Sequence, residues 1–385
     1  MPSTSLPLPS PEAQAHSRQL CALIRDDIAR QGGWIPFSRF MELALYAPGL
    51  GYYSAGARKL GAEGDFITAP ELSPLFGRTL ARQVADIMAQ SAPLVLELGA
   101  GSGKLAVDLL SELERLGSLP ERYAILEVSP DLRSRQHELL QQRVPHLAGR
   151  VHWLDALPDQ LDGVIVGNEV LDALPVHLLH WTDSRILETG VSCEGDRFVW
   201  AERLPQSPAL LEIAQQIMVP DDYVSEISLT ARGLVSSLCD RLRSGALLFI
   251  DYGFGAREYY HPQRSSGTLM CHYRHHAHDD PFFLPGLQDI TAHVDFTAIA
   301  ESAIDHGASL LGYTSQAHFL LNCGITDLLG ETSAENVRDY LPLSTQLQKL
   351  TSPAEMGELF KVIALGKGLE NTLRCFGAGD KSRNL

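Results

Sequence analysis

Two carboxylates three residues apart, Glu169 and Asp172 in NEVLDALP (168–175), are the pair in this 385-residue chain best suited to chemistry on a cation. On one helical turn that spacing puts both side chains on a common face. Each could take a fork of N–H donors from a planar cation such as a guanidinium. Together they would offset its charge while one nitrogen lone pair is left aimed at an electrophile. Acidic residues also cap helix starts, and spacing alone does not separate the two readings. A second pair, His293 and Asp295 in DITAHVDF (289–296), would point at a common site if the segment is extended. Hydrogen-bonded polar residues that order a long loop are the equal alternative.

The element that must position these groups is LVLELGAGSGK (94–104), a short apolar run ending in Glu97 and then Gly99, Gly101 and Gly103. Such a run suits a strand buried on both faces, and the glycines let the backbone turn sharply and approach a ligand. Leu105, Leu109, Leu110 and Leu113 follow at helical spacing. Strand, glycine turn and helix form the nucleotide-binding corner of a doubly wound sheet. A phosphate loop would need glycine at 98 and Ser or Thr at 105, where leucines stand. The dinucleotide fingerprint is half matched, because Lys104 replaces its third glycine. ELGAGSG instead closely resembles the first motif of methyltransferases that use S-adenosylmethionine (SAM). Glu127, at the end of the apolar run YAILEV (123–128), could accept both ribose hydroxyls, which serves NAD and SAM equally.

The formal charge of -16, with no run of basic residues, argues against a general nucleic-acid binder. It suits a basic peptide substrate, or simple solubility. The six cysteines are scattered without a close pair, so reduced thiols in a cytosol are expected. No apolar stretch is long enough to span a membrane. MPSTSLPLPSPEAQ reads as a disordered tail, without the basic and apolar segments of a secretory signal.

Along the chain, helices are expected near 15–30 and 37–46, followed by a long glycine-rich loop over 49–77. Within it, residues 64–68, with Asp65 and Thr68, are a candidate cofactor lid; a turn in which Asp65 bonds its own backbone is the equal alternative. Ser73-Pro74 and Ser129-Pro130 start helices. Strands are expected at 123–128, 151–154, 163–167, 245–252, 309–313 and 359–365, with a helix over 225–243 and an antiparallel ribbon over 177–204. Asp155, just past the third strand, could meet an adenine amino group or cap the next turn. Asn168 ends the fourth strand. The cluster His272, His275, His276, His278, Asp279 and Asp280 lacks paired metal-ligand spacing, so a polar loop or substrate wall is preferred to a metal site.

The stretches GDFITAPELSPLFG (64–77), ELGAGSGKLA (97–106), NEVLDALPV (168–176), IDYGF (250–254), YYHPQRSSGTLMCHYRHH (259–276) and DITAHVDF (289–296) together resemble the MidA-like class I methyltransferases. Mitochondrial members of that family are protein arginine methyltransferases acting in respiratory complex I assembly. The resemblance implies a class I methyltransferase fold of the α/β class, with a Rossmann-like seven-stranded sheet, an N-terminal helical lid region and an inserted β-rich substrate subdomain. It implies SAM as cofactor, held first by Gly99, Gly101 and Glu127, with Asp65, Thr68, Glu97, Gly103, Asp155 and Asn168 as further candidates; Glu169, Asp172, His293 and Asp295 are the catalytic candidates by their chemistry. The implied activity is symmetric dimethylation of an arginine in a protein substrate, such as a complex I subunit, with a homodimer compatible. A small-molecule acceptor and a SAM-binding assembly factor are the alternatives. Without an Arg-rich leader, the chain is expected to be a cytoplasmic bacterial relative.

The expected division is a tail (1–14), a helical and lid region (15–90), core (91–176), β-rich insertion (177–224), core (225–256), substrate or lid loop (257–296), core (297–370) and tail (371–385).

Overall fold

The computed structural model describes residues 6–55, 68–183, 185–370 and 372–385. These residues fall into two compact units. The larger unit takes the described residues of Ile67–Leu171, Leu234–Gly255 and Val294–Leu385.

Its sheet has seven main strands: β1 (Leu94–Leu98), β2 (Arg122–Leu126), β3 (Val151–Leu154), β4 (Leu161–Asn168), β5 (Leu242–Phe254), β6 (Ser309–Ser315) and β7 (Phe360–Lys367). Their spatial order is β6-β7-β5-β4-β1-β2-β3, and Val294–Asp295 adds a short parallel pairing to β5. β3, β2, β1, β4 and β5 are parallel neighbours, while β7 runs antiparallel between β5 and β6. This is the class I methyltransferase arrangement that the motifs imply. The strand order reverses between β1 and β4, and in open α/β sheets such a crevice at the carboxyl ends of the strands is where ligands bind.

Helices α1 (Pro74–Met88), α2 (Lys104–Arg115) and α3 (Pro130–Arg143) form where the sequence signals place them. Ser73 caps α1 by accepting from the Leu75 N–H at 3.3 Å, and Ser129 caps α3 by accepting from Leu132 at 3.4 Å. The apolar stripes of α1 and α2 pack with Val95, Ile125, Val164, Val166 and Leu248 in one core. Each such aliphatic side chain, fully buried, contributes about 1.5–3 kcal/mol.

The expectation of scattered reduced thiols is corrected here. Cys323 and Cys375, 52 residues apart, form a disulfide with their Cα atoms 4.9 Å apart. Chain separation concealed the pair: the short helix Arg374–Phe376 returns to the end of helix Gln316–Asn322, where the Asn322 amide donates to the carbonyls of Cys375 and Ala378 at 3.0 and 2.8 Å.

The smaller unit gathers the described residues of Met1–Phe66 with Asp172–Gly233 and Ala256–His293. Helices Pro11–Arg30 and Phe37–Tyr46 share an apolar core with Val176, Leu178, Val191, Cys271 and Ile290. Its five-stranded sheet includes the antiparallel ribbon His177–Thr182, Arg185–Glu194 and Arg197–Arg203. Tyr223–Ile227 pairs antiparallel with the first strand of that ribbon, so the helix expected from Ser225 begins only at Leu229. The partner strand lies more than forty residues earlier, out of reach of a local periodicity. The stretches expected as helical region, insertion and loop thus contribute to one unit, whereas α1 belongs to the larger one.

Candidate functional site

In the corner of the larger unit, β1 runs into a turn where Gly99, Gly101 and Gly103 hold φ values of 59°, 54° and 87°. Only glycine takes this left-handed region without cost. The Gly99 N–H donates to the Leu126 carbonyl at 3.0 Å, tying the turn to the end of β2. A Cβ on Gly103 would lie 3.2 Å from the Gln136 backbone Cα, so close packing adds a second demand for glycine there. Glu97, 2% exposed, accepts from the Tyr123 hydroxyl at 2.6 Å, and burial raises its pKa to about 7. The Ser102 hydroxyl donates to Glu71, which sits in the short helix Ala69–Leu72. Thr68 is the backbone cap of that helix, its carbonyl accepting from Leu72 at 3.0 Å. Asp65 lies outside the described residues.

Glu127 follows β2 and is 5% exposed. One carboxylate oxygen accepts from the Ser129 N–H at 3.0 Å and the other from the Gln136 amide, also at 3.0 Å. Burial pushes its pKa up, against the pull of those donors. A carboxylate has about four lone-pair sites, so capacity is left for a ribose diol. Asp155 is exposed, and its carboxylate pairs with the Arg133 guanidinium at 2.7 Å. Arg133 also donates to the carbonyls of Glu127 and Leu154, at 2.7 and 2.6 Å, bracing the ends of β2 and β3 together.

At the end of β4 the Asn168 amide donates to Glu169 at 2.9 Å. The Asn168 side-chain oxygen is buried with no hydrogen-bond partner. An orphaned acceptor beside the glycine turn fits a donor-bearing ligand. Glu169 has φ 53°, and its N–H donates to Ile250 at 2.8 Å. The shared helical face expected for Glu169 and Asp172 does not form, because the chain after β4 turns instead of coiling. The turn is anchored on β5. The buried Asp251 carboxylate, 1% exposed, accepts from the N–H groups of Val170 at 3.2 Å, Leu171 at 2.9 Å and Tyr252 at 3.0 Å. Those bonds tie the turn after β4 to β5.

Asp172 belongs to the smaller unit, where its carbonyl accepts from the Ala292 N–H at 3.0 Å. Its buried carboxylate helps raise the pKa of Tyr53, behind the larger effects of burial, Asp289 and Tyr46. Tyr53 donates to both Asp289 oxygens, at 2.9 and 3.0 Å, and stacks on Tyr46. Residues 289–296 are not one extended segment, the condition under which His293 and Asp295 would point at a common site. Asp289–Thr291 pairs antiparallel with Met270–Tyr273, whereas Val294–Asp295 pairs in parallel with β5. The break puts His293, whose N–H donates to the Thr268 hydroxyl at 3.0 Å, in the smaller unit. Asp295 is in the larger, capping helix Phe296–Asp305 through the N–H groups of Thr297 and Ala298.

Sequence reasoning missed Gln136, Arg133 and Asp251. Asp251 had left a signal, an acid inside the apolar strand GALLFIDY (245–252), where only a partnered carboxylate is tolerated.

Residues 79–314 match a family model described as an S-adenosyl-L-methionine-dependent methyltransferase. The chain is 31% identical to protein arginine methyltransferase NDUFAF7, mitochondrial, of Mus musculus, over 91% of this chain and 86% of that one. The Drosophila melanogaster homologue is 29% identical, over 96% of this chain and 89% of its own. A protein of Burkholderia thailandensis, solved with S-adenosyl-homocysteine bound, superimposes with a TM-score of 0.96 at 53% identity, covering 99% of this chain and 100% of that one. The glycine turn, the buried acid ending β2 and the orphaned Asn168 acceptor fit the cofactor of such enzymes. The chain belongs to the MidA-like family of S-adenosyl-L-methionine-dependent methyltransferases.

Proposed function

We propose that this methyltransferase modifies arginine in a protein partner, with symmetric dimethylation as its product and a subunit of respiratory complex I as the candidate acceptor. The observation that carries the reading is Glu169, a carboxylate fixed at the end of β4 in a backbone conformation that few non-glycine residues adopt. The names of the mitochondrial relatives, protein arginine methyltransferases, support the acceptor class.

In this reading Gly99, Gly101 and Gly103 bring main chain against the cofactor, Glu127 takes its ribose hydroxyls, and Asn168 offers an acceptor beside it. When bound, SAM supplies an electrophilic methyl group. Glu169 accepts N–H donors of the substrate guanidinium and fixes its plane, which leaves one nitrogen in line for transfer. A guanidinium holds its proton tightly, so the attacking nitrogen must surrender one as the N–C bond forms. A carboxylate is suited to lead that proton away. Asp295, in the same unit as Glu169, is proposed to assist in holding or discharging the substrate.

The test is methyl transfer from labelled SAM into a cell lysate by the protein and by Glu169→Gln. A labelled protein whose label is recovered as methylarginine, with turnover about a hundredfold lower in the variant, is the expected result. Label in small molecules alone would overturn the protein acceptor. Equal losses of turnover and cofactor affinity would move Glu169 into the cofactor site.

A further inference from the structure

Gln136 has no exposed surface, and its side-chain amide is hydrogen-bonded to groups from three separate stretches of chain. The nitrogen donates to the Gly101 carbonyl at 2.9 Å and to Glu127 at 3.0 Å. The oxygen accepts from the Trp153 indole at 2.8 Å. An indole N–H can only donate and a main-chain carbonyl can only accept, so the amide has one orientation and its nitrogen must face Glu127.

We propose that Gln136 is the positioning residue of the cofactor corner, holding the glycine turn and the Glu127 carboxylate in one geometry and keeping Glu127 an acceptor toward the ribose diol. The inference rests on the reading of Glu127 as the ribose acceptor. Glutamate has the same shape as glutamine but cannot donate when ionised. At position 136 it would set two carboxylates against each other and one against the Gly101 carbonyl. Once protonated, the introduced carboxyl has one O–H to give, and one of the two lost donors returns. The titratable and charged groups around Glu127 and the amide include Glu97 on β1, itself bonded to Tyr123, Arg133 on α3, which is engaged by Asp155, and His137 on α3, whose ring packs edge-on against Trp153. All of them remain in each variant, so wild type at the same pH is the reference.

The experiment is calorimetric binding of S-adenosyl-homocysteine to the full chain at pH 6 and pH 8, with thermal unfolding as the check of fold. Gln136→Leu should bind about ten- to a hundredfold more weakly, by the same factor relative to wild type at both pH values. Gln136→Glu should show its large loss at pH 8 and recover roughly tenfold of it, relative to wild type, at pH 6. Trp153→Phe, at a half-buried position and keeping an aromatic ring, should lose roughly threefold because the amide is no longer oriented. Glu127→Gln checks the underlying reading: wild-type affinity in that variant would sink the ribose assignment itself. If Glu127→Gln weakens binding while Gln136→Leu binds normally, or while Gln136→Glu loses the same factor at both pH values, the positioning role is overturned. Should Gln136→Leu fail to fold, wild-type affinity in Trp153→Phe overturns it equally.

Discussion

Asp251→Asn asks whether the Glu169 turn is held by a carboxylate. Asp251 accepts from three main-chain N–H groups, two of them from the residues directly after Glu169. Asparagine keeps one acceptor oxygen. If that oxygen stays on Val170 and Leu171, the amide nitrogen faces the Tyr252 N–H, donor against donor. One charge-assisted bond is lost and two are weakened. Bonds to a charged group contribute about 1.5–3 kcal/mol each, and a buried donor left unsatisfied costs about 1–3 kcal/mol. Part of this is offset because an amide is cheaper to bury than a carboxylate. The net loss of stability should be about 2 kcal/mol. The larger effect should fall on turnover. A non-glycine residue in the left-handed region carries roughly 1–2 kcal/mol of strain, so Glu169 at φ 53° should relax once the turn loosens. A shift of about 1 Å in a positioning group can cost a hundredfold in rate. The assay is turnover with saturating SAM and a peptide acceptor, beside cofactor affinity and a thermal melt. Turnover within threefold of wild type in a folded variant would refute the reasoning, as would cofactor affinity that falls in step with turnover.

Gly103→Ala should destabilise the fold by about 2–3 kcal/mol and weaken cofactor binding, since φ 87° and contact with the Gln136 backbone both oppose a Cβ; denaturant unfolding and calorimetry check it. Glu97, with its pKa raised to about 7, binds a proton in the folded state that the unfolded chain releases near 4.5. Its stabilising share is therefore whole below pH 4.5, shrinks as pH rises and is gone above about 7. That share is about 3 kcal/mol, and Glu97→Gln should remove it from the stability–pH curve measured by denaturant unfolding. Thiol titration of the denatured, unreduced protein should count four cysteines, rising to six after reduction, and Cys375→Ser should cost up to about 4 kcal/mol.

Much of the larger unit was legible because its signals are local. The apolar run 94–98, the alternate glycines and the Ser-Pro caps each act within a few residues, and the sheet order follows from strands of that type joined by helices. What escaped is set by distant partners. Residues 223–227 become a strand because His177–Trp181 offers an edge, and the turn after β4 is tied to the distant Asp251 through the N–H groups of Val170 and Leu171. Gln136 reads as one more polar residue on a polar helix until the fold buries it between Glu127 and Trp153. Glu127 could be found as an acid ending a strand; its supporting amide could not.

Three carboxylates, Glu97 on β1, Glu127 just after β2 and Asp251 near the end of β5, are almost fully buried. Their hydrogen bonds described above come from neutral donors: Tyr123, Gln136 and main-chain N–H groups. A sheet selected for stability alone would carry apolar residues there, because burying a carboxylate costs more than neutral hydrogen bonds return. In a chain already at -16 the repulsion adds to that cost. The arrangement makes sense if the negative potential is used. SAM carries a sulfonium and an ammonium, and the guanidinium of the proposed acceptor would add a third cation. Methyl transfer turns the sulfonium into a neutral thioether and frees a proton. In the proposed reaction a buried carboxylate such as Glu127, bonded by the Ser129 N–H and the Gln136 amide, would favour the charged reactants over the spent cofactor.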